Sequence, residues 1–214
     1  MIDHTLLSAG AKQVDIDELC EQAQAHGFAA VCVNPWLVPR ASKALSGTKV
    51  AVCSVAGFPL GASTAWAKST EAQGAVGDGA TEIDVVINVG ALRSGEFKIV
   101  DQELTLVRRS IGDALLKVIL EVPLLLDEEV KEGCRIAIAC GADFIKTCTG
   151  FGPRGVEVSD VIKLRRLAGP AVGVKAAGGI RTLDFARELV AAGATRLGSS
   201  SGVAIAEEAR ERGP

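Results

Sequence analysis

The chain has 214 residues, 48% hydrophobic and 23% charged, which is enough apolar material for one sizeable core. A net charge of −3 argues against nucleic acid as the main partner, and two histidines with no CxxC pair give no zinc-type cluster. No apolar run reaches membrane-spanning length, Met1-Ile2-Asp3-His4 lacks the regions of a signal peptide, and six scattered cysteines read as reduced thiols, so a cytoplasmic protein that does not touch membrane is expected.

In chain order the pattern predicts eight strands, at 2–6, 28–34, 49–55, 82–88, 116–122, 144–148, 172–177 and 196–200. Helical stretches lie between them. Asp15-Ile16-Asp17-Glu18-Leu19 opens the first with acidic residues that suit the positive end of a helix dipole. Asp127-Glu128-Glu129, Ser159-Asp160 and Thr182-Leu183-Asp184 read as further helix starts. Pro35, Pro59 and Pro123 fall just after strands, in the connections that lead back to helices.

One boundary recurs four times. A glycine follows a helix and leads into a strand at Gly27-Phe28-Ala29, Gly79-Ala80-Thr81, Gly141-Ala142-Asp143 and Gly193-Ala194-Thr195. Glycine just past a helix supplies the left-handed cap, and four copies of one αβ loop imply repeated βα units on a parallel sheet. Eight such units over 1–214, with no linker and no GxGxxG turn after the first strand, favour a single-domain (β/α)8 barrel over an open doubly wound sheet. Five residues after each repeat glycine stand Cys32, Asp84, Lys146 and Gly198. Equivalent positions share a height in a barrel, which brings Asp84 and Lys146 together near its C-terminal face.

Two lysines carry the chemistry. Lys146 ends one strand and opens into Thr147-Cys148-Thr149-Gly150; Lys175 ends another and opens into Ala176-Ala177-Gly178-Gly179. Burial disfavours an ammonium, and a neutral amine attacks carbonyl carbon, so a Schiff-base nucleophile tuned by a second lysine is one reading. Lys175 shares its face with Gly173 and Ala177, whose small size leaves room beside it. The plainer reading is structural ion pairing of the lysines with Asp84 and Glu121 inside the barrel, and Lys117 is placed to pair with Glu121 on its own strand. Asp84 is either a neutralising carboxylate or a proton relay. Gly178-Gly179 and Ser199-Ser200, in the last two βα loops, offer backbone N–H groups and hydroxyls to a phosphate. Asp3-His4-Thr5 is a weaker candidate for substrate contact, and Cys32 and Cys148 read mainly as core residues.

These residues sit in a larger set of segments: Ile2-Asp3-His4-Thr5-Leu6-Leu7, Val31-Cys32-Val33-Asn34-Pro35, Gly57-Phe58-Pro59-Leu60-Gly61-Ala62, Glu82-Ile83-Asp84-Val85-Val86-Ile87-Asn88, Leu116-Lys117-Val118-Ile119-Leu120-Glu121, Phe144-Ile145-Lys146-Thr147, Val174-Lys175-Ala176-Ala177-Gly178-Gly179-Ile180-Arg181 and Gly198-Ser199-Ser200-Ser201-Gly202. In this order they resemble the deoxyribose-phosphate aldolase family over nearly the whole chain. The resemblance implies a class I aldolase on a (β/α)8 barrel, with no metal and no cofactor. Such an enzyme reversibly cleaves 2-deoxy-D-ribose 5-phosphate to glyceraldehyde 3-phosphate and acetaldehyde, and the family suggests a homo-oligomer. Lys146 matches its Schiff-base lysine, Lys175 its second lysine and Asp84 its relay carboxylate. Gly150, Gly178, Gly179, Ser199 and Ser200 match its phosphate-contacting turns. Departures are Val122-Pro123 after Glu121, Ala177 and Cys148 where serine is common, and a start almost at the first strand, where many relatives carry a helix; the last puts stability in more doubt than catalysis. A transaldolase-like lyase and a catalytically silent barrel that binds a phosphorylated ligand remain the alternatives.

Overall fold

A computed structural model describes residues 1–213. Eight parallel strands close in sequence order into a barrel: β1 (Ile2–Leu6), β2 (Ala30–Val33), β3 (Ala51–Ala56), β4 (Glu82–Val86), β5 (Leu115–Ile119), β6 (Phe144–Lys146), β7 (Gly173–Ala177) and β8 (Arg196–Ser199). Helices cover it, among them α1 (Gln13–His26), α2 (Val38–Ala44), α3 (Ala65–Gly77), α4 (Val89–Arg93), α5 (Phe97–Ser110), α6 (Asp127–Ala139), α7 (Val158–Ala168), α8 (Leu183–Ala191) and α9 (Gly202–Arg212). The expected (β/α)8 architecture is therefore the one observed.

The four repeat glycines do the same job. Gly27, Gly79, Gly141 and Gly193 all have positive φ, between 61° and 110°. Each donates its N–H three residues back, and the residue after it donates to the carbonyl five back, as Phe28 does to Ala23 (2.9 Å). This paired closure satisfies the helix's last carbonyls and releases the chain directly into a strand.

Several predicted strands run past their observed ends on the C-terminal side. The fourth stops at Val86 because Asn88 already caps α4, its side chain accepting from the Ala91 N–H (3.0 Å). The sixth stops at Lys146, where the chain turns into a glycine-bearing loop.

The register fixes what meets inside. Extended along the strands, the pairing climbs from position 3 to position 11 of β1 in one circuit, the shift of eight expected of this barrel class. At that shift the inward side chains form layers of four from alternate strands. Cys32, Asp84, Lys146 and Gly198 make one layer, as the repeat spacing predicts. Asp3, Cys53, Lys117 and Lys175 make the layer beneath, and Ala30, Glu82, Phe144 and Arg196 the next. The outward strand residues, such as Val31, Ile83, Val85, Val118, Ile145 and Val174, pack with the helices in the main apolar core. The barrel interior is thus mostly polar and charged, which a fold stabilised elsewhere can sustain.

Candidate active site

Asp84 is the hub of the interior. It is wholly buried, and its Oδ2 accepts from both Lys146 Nζ (2.7 Å) and Lys175 Nζ (2.7 Å). The two amines are therefore no further apart than twice 2.7 Å. Its Oδ1 accepts from Lys117 Nζ (2.8 Å) and from the Cys53 thiol (3.1 Å). Lys117 also pairs with Glu82 (2.7 Å), Lys175 with Asp3 (2.5 Å), and Arg196 with Asp3 (2.5 Å) and Glu82 (3.3 Å). The cluster holds four cations (Lys117, Lys146, Lys175, Arg196) and three carboxylates (Asp3, Glu82, Asp84).

The electrostatics follow from these contacts. Burial pushes the Asp84 carboxyl up, but Lys117, Lys146 and Lys175 together outweigh it and hold the group well below the ordinary carboxylate range. Asp3 is lowered in the same way, by Lys175, Lys117 and Arg196 against burial. For Lys175 the expectation from burial alone is reversed: desolvation pulls its ammonium down, yet Asp3 and Asp84 pull harder and the net shift is upward. Lys117 is raised well above its usual value on the same balance, with Asp84 the leading carboxylate.

Three other expectations are corrected. Lys117 does not pair with Glu121; it reaches across to β4, because Asp84 is its direct neighbour in the register. The room at Gly173 is already taken, since a Cβ there would lie 2.3 Å from the Phe144 ring. The hydroxyl of Ser199 is not free for a ligand either, for it donates to the Ile180 carbonyl (2.7 Å) and accepts from the Ser201 N–H (2.9 Å).

Above the cluster opens a cavity of about 440 Å³. Lys146 is the member of the cluster that lines it, and Lys175 and Asp84 lie below its floor. Gly150, Gly178, Gly179, Ser199 and Ser200 line the same space, together with Thr5 from the weaker Asp3-His4-Thr5 candidate and with Ser8 and Arg181, which the sequence did not single out as site residues. Gly150, Gly178 and Gly179 have φ of 83°, 99° and 78°, the turn geometry that lets consecutive amides face a ligand. Gly178 also has no space for a side chain, a Cβ falling 2.7 Å from Cys148 Sγ.

Cys148 and Cys53 are not poised nucleophiles. Cys148 is buried, its thiol donates to the Ala177 carbonyl (2.8 Å), and burial with the nearby Glu121 carboxylate pushes it up. Burial, the hydrogen bond with Cys32 and the Asp84 charge hold Cys53 well above the ordinary thiol range. Cys32 is fully buried beside it, within the apolar part of the barrel interior. His4 faces outward to Gln22 (2.7 Å) while Asp3 and Thr5 face in, so the first strand contributes to the site through its other two residues.

A model of the DeoC/LacD family aldolases matches residues 1–208. The chain belongs to this aldolase family. A deoxyribose-phosphate aldolase from Brevibacillus brevis is 49% identical over 212 residues, spanning 99% of this chain and 96% of that protein. One from Streptococcus pneumoniae is 52% identical over 204 residues, 95% of this chain and 93% of its own length. Among solved structures, the tetrameric deoxyribose phosphate aldolase from Aeropyrum pernix superposes with a TM-score of 0.91 at 36% identity, covering 99% of this chain and 90% of that one. This member of the family is thus an aldolase, a carbon–carbon lyase, with its cavity at the C-terminal mouth of the barrel. Among the described residues no helix is long and apolar enough to cross a membrane.

Proposed function

We propose that this aldolase reversibly cleaves 2-deoxy-D-ribose 5-phosphate to D-glyceraldehyde 3-phosphate and acetaldehyde through a Schiff base on Lys146. The observation that carries the assignment is the placement of Lys146 alone between the charged cluster and the cavity, with Asp84 Oδ2 at 2.7 Å. Lys175 is the second lysine: buried, held cationic by Asp3 and Asp84, and joined to Lys146 through the shared Asp84 Oδ2.

In the cleavage direction the Lys146 amine adds to the C1 carbonyl and water leaves, giving a protonated imine. The C3 hydroxyl loses its proton, the C2–C3 electron pair moves toward the imine, and glyceraldehyde 3-phosphate departs. The enamine left on Lys146 takes a proton at C2, and water releases acetaldehyde and the free amine. Asp84 and Lys175 act as the proton relay. Asp84 Oδ2 accepts from both amines at 2.7 Å, so the carboxylate takes the proton that Lys146 loses as the imine forms, and the Lys175 ammonium on its other side donates one of its own and is reprotonated from Asp84. A carboxylate this strongly held in its charged form passes a proton on rather than keeping it, and water in the cavity completes the path to the substrate.

The phosphate is assigned to the turns at Gly150, Gly178-Gly179 and Ser199-Ser200, with Arg181 beside them. Ser199 contributes backbone rather than hydroxyl, for the reason given above. Binding energy from this remote group holds the reacting carbons against Lys146. Chemistry of this kind on a barrel with net charge −3 needs no metal, and the setting proposed is a cytoplasmic homo-oligomer, as the tetrameric Aeropyrum pernix relative suggests. The test is formation of glyceraldehyde 3-phosphate from the deoxyribose phosphate by the wild type and by Lys146→Ala. Turnover by the wild type and background rates in the variant are expected; full activity in Lys146→Ala sinks the mechanism.

A further inference from the structure

Glu121 is the one described residue other than glycine with positive φ (57°, ψ 55°). A glutamate gains nothing locally from that conformation, so the surrounding structure must impose it. The residue follows β5 and starts the 3-10 turn Val122–Leu124. Its side chain is 3% exposed, yet no lysine or arginine among the described residues pairs with it. Oε2 accepts from the Thr149 N–H (3.1 Å), and Oε1 has no partner.

What the carboxylate touches is the loop after β6. Thr149 in turn accepts from the Phe151 N–H through its hydroxyl (3.1 Å), and Thr149, Gly150 and Phe151 all line the cavity. Gly152 passes so close that a Cβ would lie 2.8 Å from Glu121 Oε1. The backbone on either side is tied as well, Val122 N–H donating to the Thr147 carbonyl (2.9 Å). A buried, conformationally forced carboxylate therefore grips the cavity-forming part of this loop without itself reaching the cavity.

We propose that Glu121 is a positioning residue for the phosphate end of the substrate: by holding Thr149 N–H it fixes Gly150 and Phe151 as the wall of the phosphate cradle. This rests on the phosphate assignment made above. Its effect falls on binding of the phosphorylated group, whereas Asp84 and Lys175 are held by other strands and Lys146 by the pairing of β6 itself.

Two variants separate the grip from the backbone. Glu121→Gly accepts positive φ freely and removes the carboxylate; Gly152→Ala leaves Glu121 intact and pushes the loop away from Oε1. Steady-state kinetics would be measured with 2-deoxyribose 5-phosphate and with 2-deoxyribose, and inorganic phosphate would be titrated as a competitive inhibitor. In both variants KM for the phosphosugar and the inhibition constant for phosphate are expected to rise about tenfold, the scale of one lost hydrogen bond to a charged group. The kcat and the kcat/KM for 2-deoxyribose should stay within about twofold, and Glu121→Gln, which keeps an acceptor for Thr149 N–H, should restore most of KM. If Glu121→Gly fails to fold, Gly152→Ala decides alone. Equal losses on both substrates, or an unchanged KM for the phosphosugar, would overturn the proposal. A wild type that turns over neither sugar and binds no phosphate would overturn the functional reading and this inference with it.

Discussion

Replacing Asp84 by asparagine should be among the most damaging single-atom changes this barrel can suffer. Asp84 receives three lysine Nζ groups at 2.7 to 2.8 Å and a thiol at 3.1 Å, on both of its oxygens. An amide has one oxygen and one donor NH2. Placed one way, the NH2 faces Lys117; placed the other, it faces Lys146 and Lys175. No rotamer satisfies all three, and only Asp3 and Glu82 remain to balance the cations of the cluster. Stranding buried charge by removing one partner costs about 3–5 kcal/mol, which for a chain of this size lowers Tm by roughly 6–20 °C. Urea unfolding at pH 7 measures the loss directly, provided the slope with denaturant stays that of the wild type. Adding Lys117→Met to Asp84→Asn should recover part of it, because the second change removes one of the cations that lost Asp84, while Glu82 keeps Arg196. A loss under about 1 kcal/mol, or a double variant weaker than additivity predicts, would refute the claim that this carboxylate binds the lysines together.

Two further predictions follow from the same interior. Because Asp84 lies well below its ordinary value of 3.8 in the folded chain, its stabilisation is present above that value and lost as pH falls through the folded value. The stability difference between wild type and Asp84→Asn should be constant from about pH 7 to 4 and shrink only below 3.8; shrinkage already between pH 6 and 5 would contradict the depressed carboxyl. Gly173→Ala should cost about 1–3 kcal/mol by overpacking, since its Cβ would meet the Phe144 ring at 2.3 Å while Arg196 lies over that ring at 5.4 Å; a neutral result in urea unfolding would show the ring free to move.

Much of the barrel was legible because its periodicity is written in the chain. The glycine that follows four of the helices marked strand starts, and counting five residues from it selected a true interior layer. What alternation could not supply was partnership. It placed Lys117 inward, but whether its amine turns to Glu121 or to Asp84 depends on register and on the shift of eight around the barrel. Asp3 was visible only as part of a short first strand and a weak candidate for substrate contact, and its pairing with Lys175 and Arg196 joins residues from opposite ends of the chain. Arg196 and Glu82 were hidden for the same reason. Burial of Lys175 was foreseen, but the direction of its shift depends on two carboxylates that sequence spacing does not place. The glycine turns read from the sequence as a phosphate nest do line the cavity, whereas the commitment of the Ser199 hydroxyl to Ile180 depends on a fold-level contact.

The central claim is that the amine at the cavity floor, Lys146, forms the covalent bond to substrate. Borohydride reduction in the presence of 2-deoxyribose 5-phosphate, followed by mapping of the modified peptide, tests it most directly. The account predicts a reduced adduct on Lys146 and none on Lys175 or Lys117, which are shut beneath it. An adduct on Lys175, or active enzyme that yields no adduct at all, would contradict it.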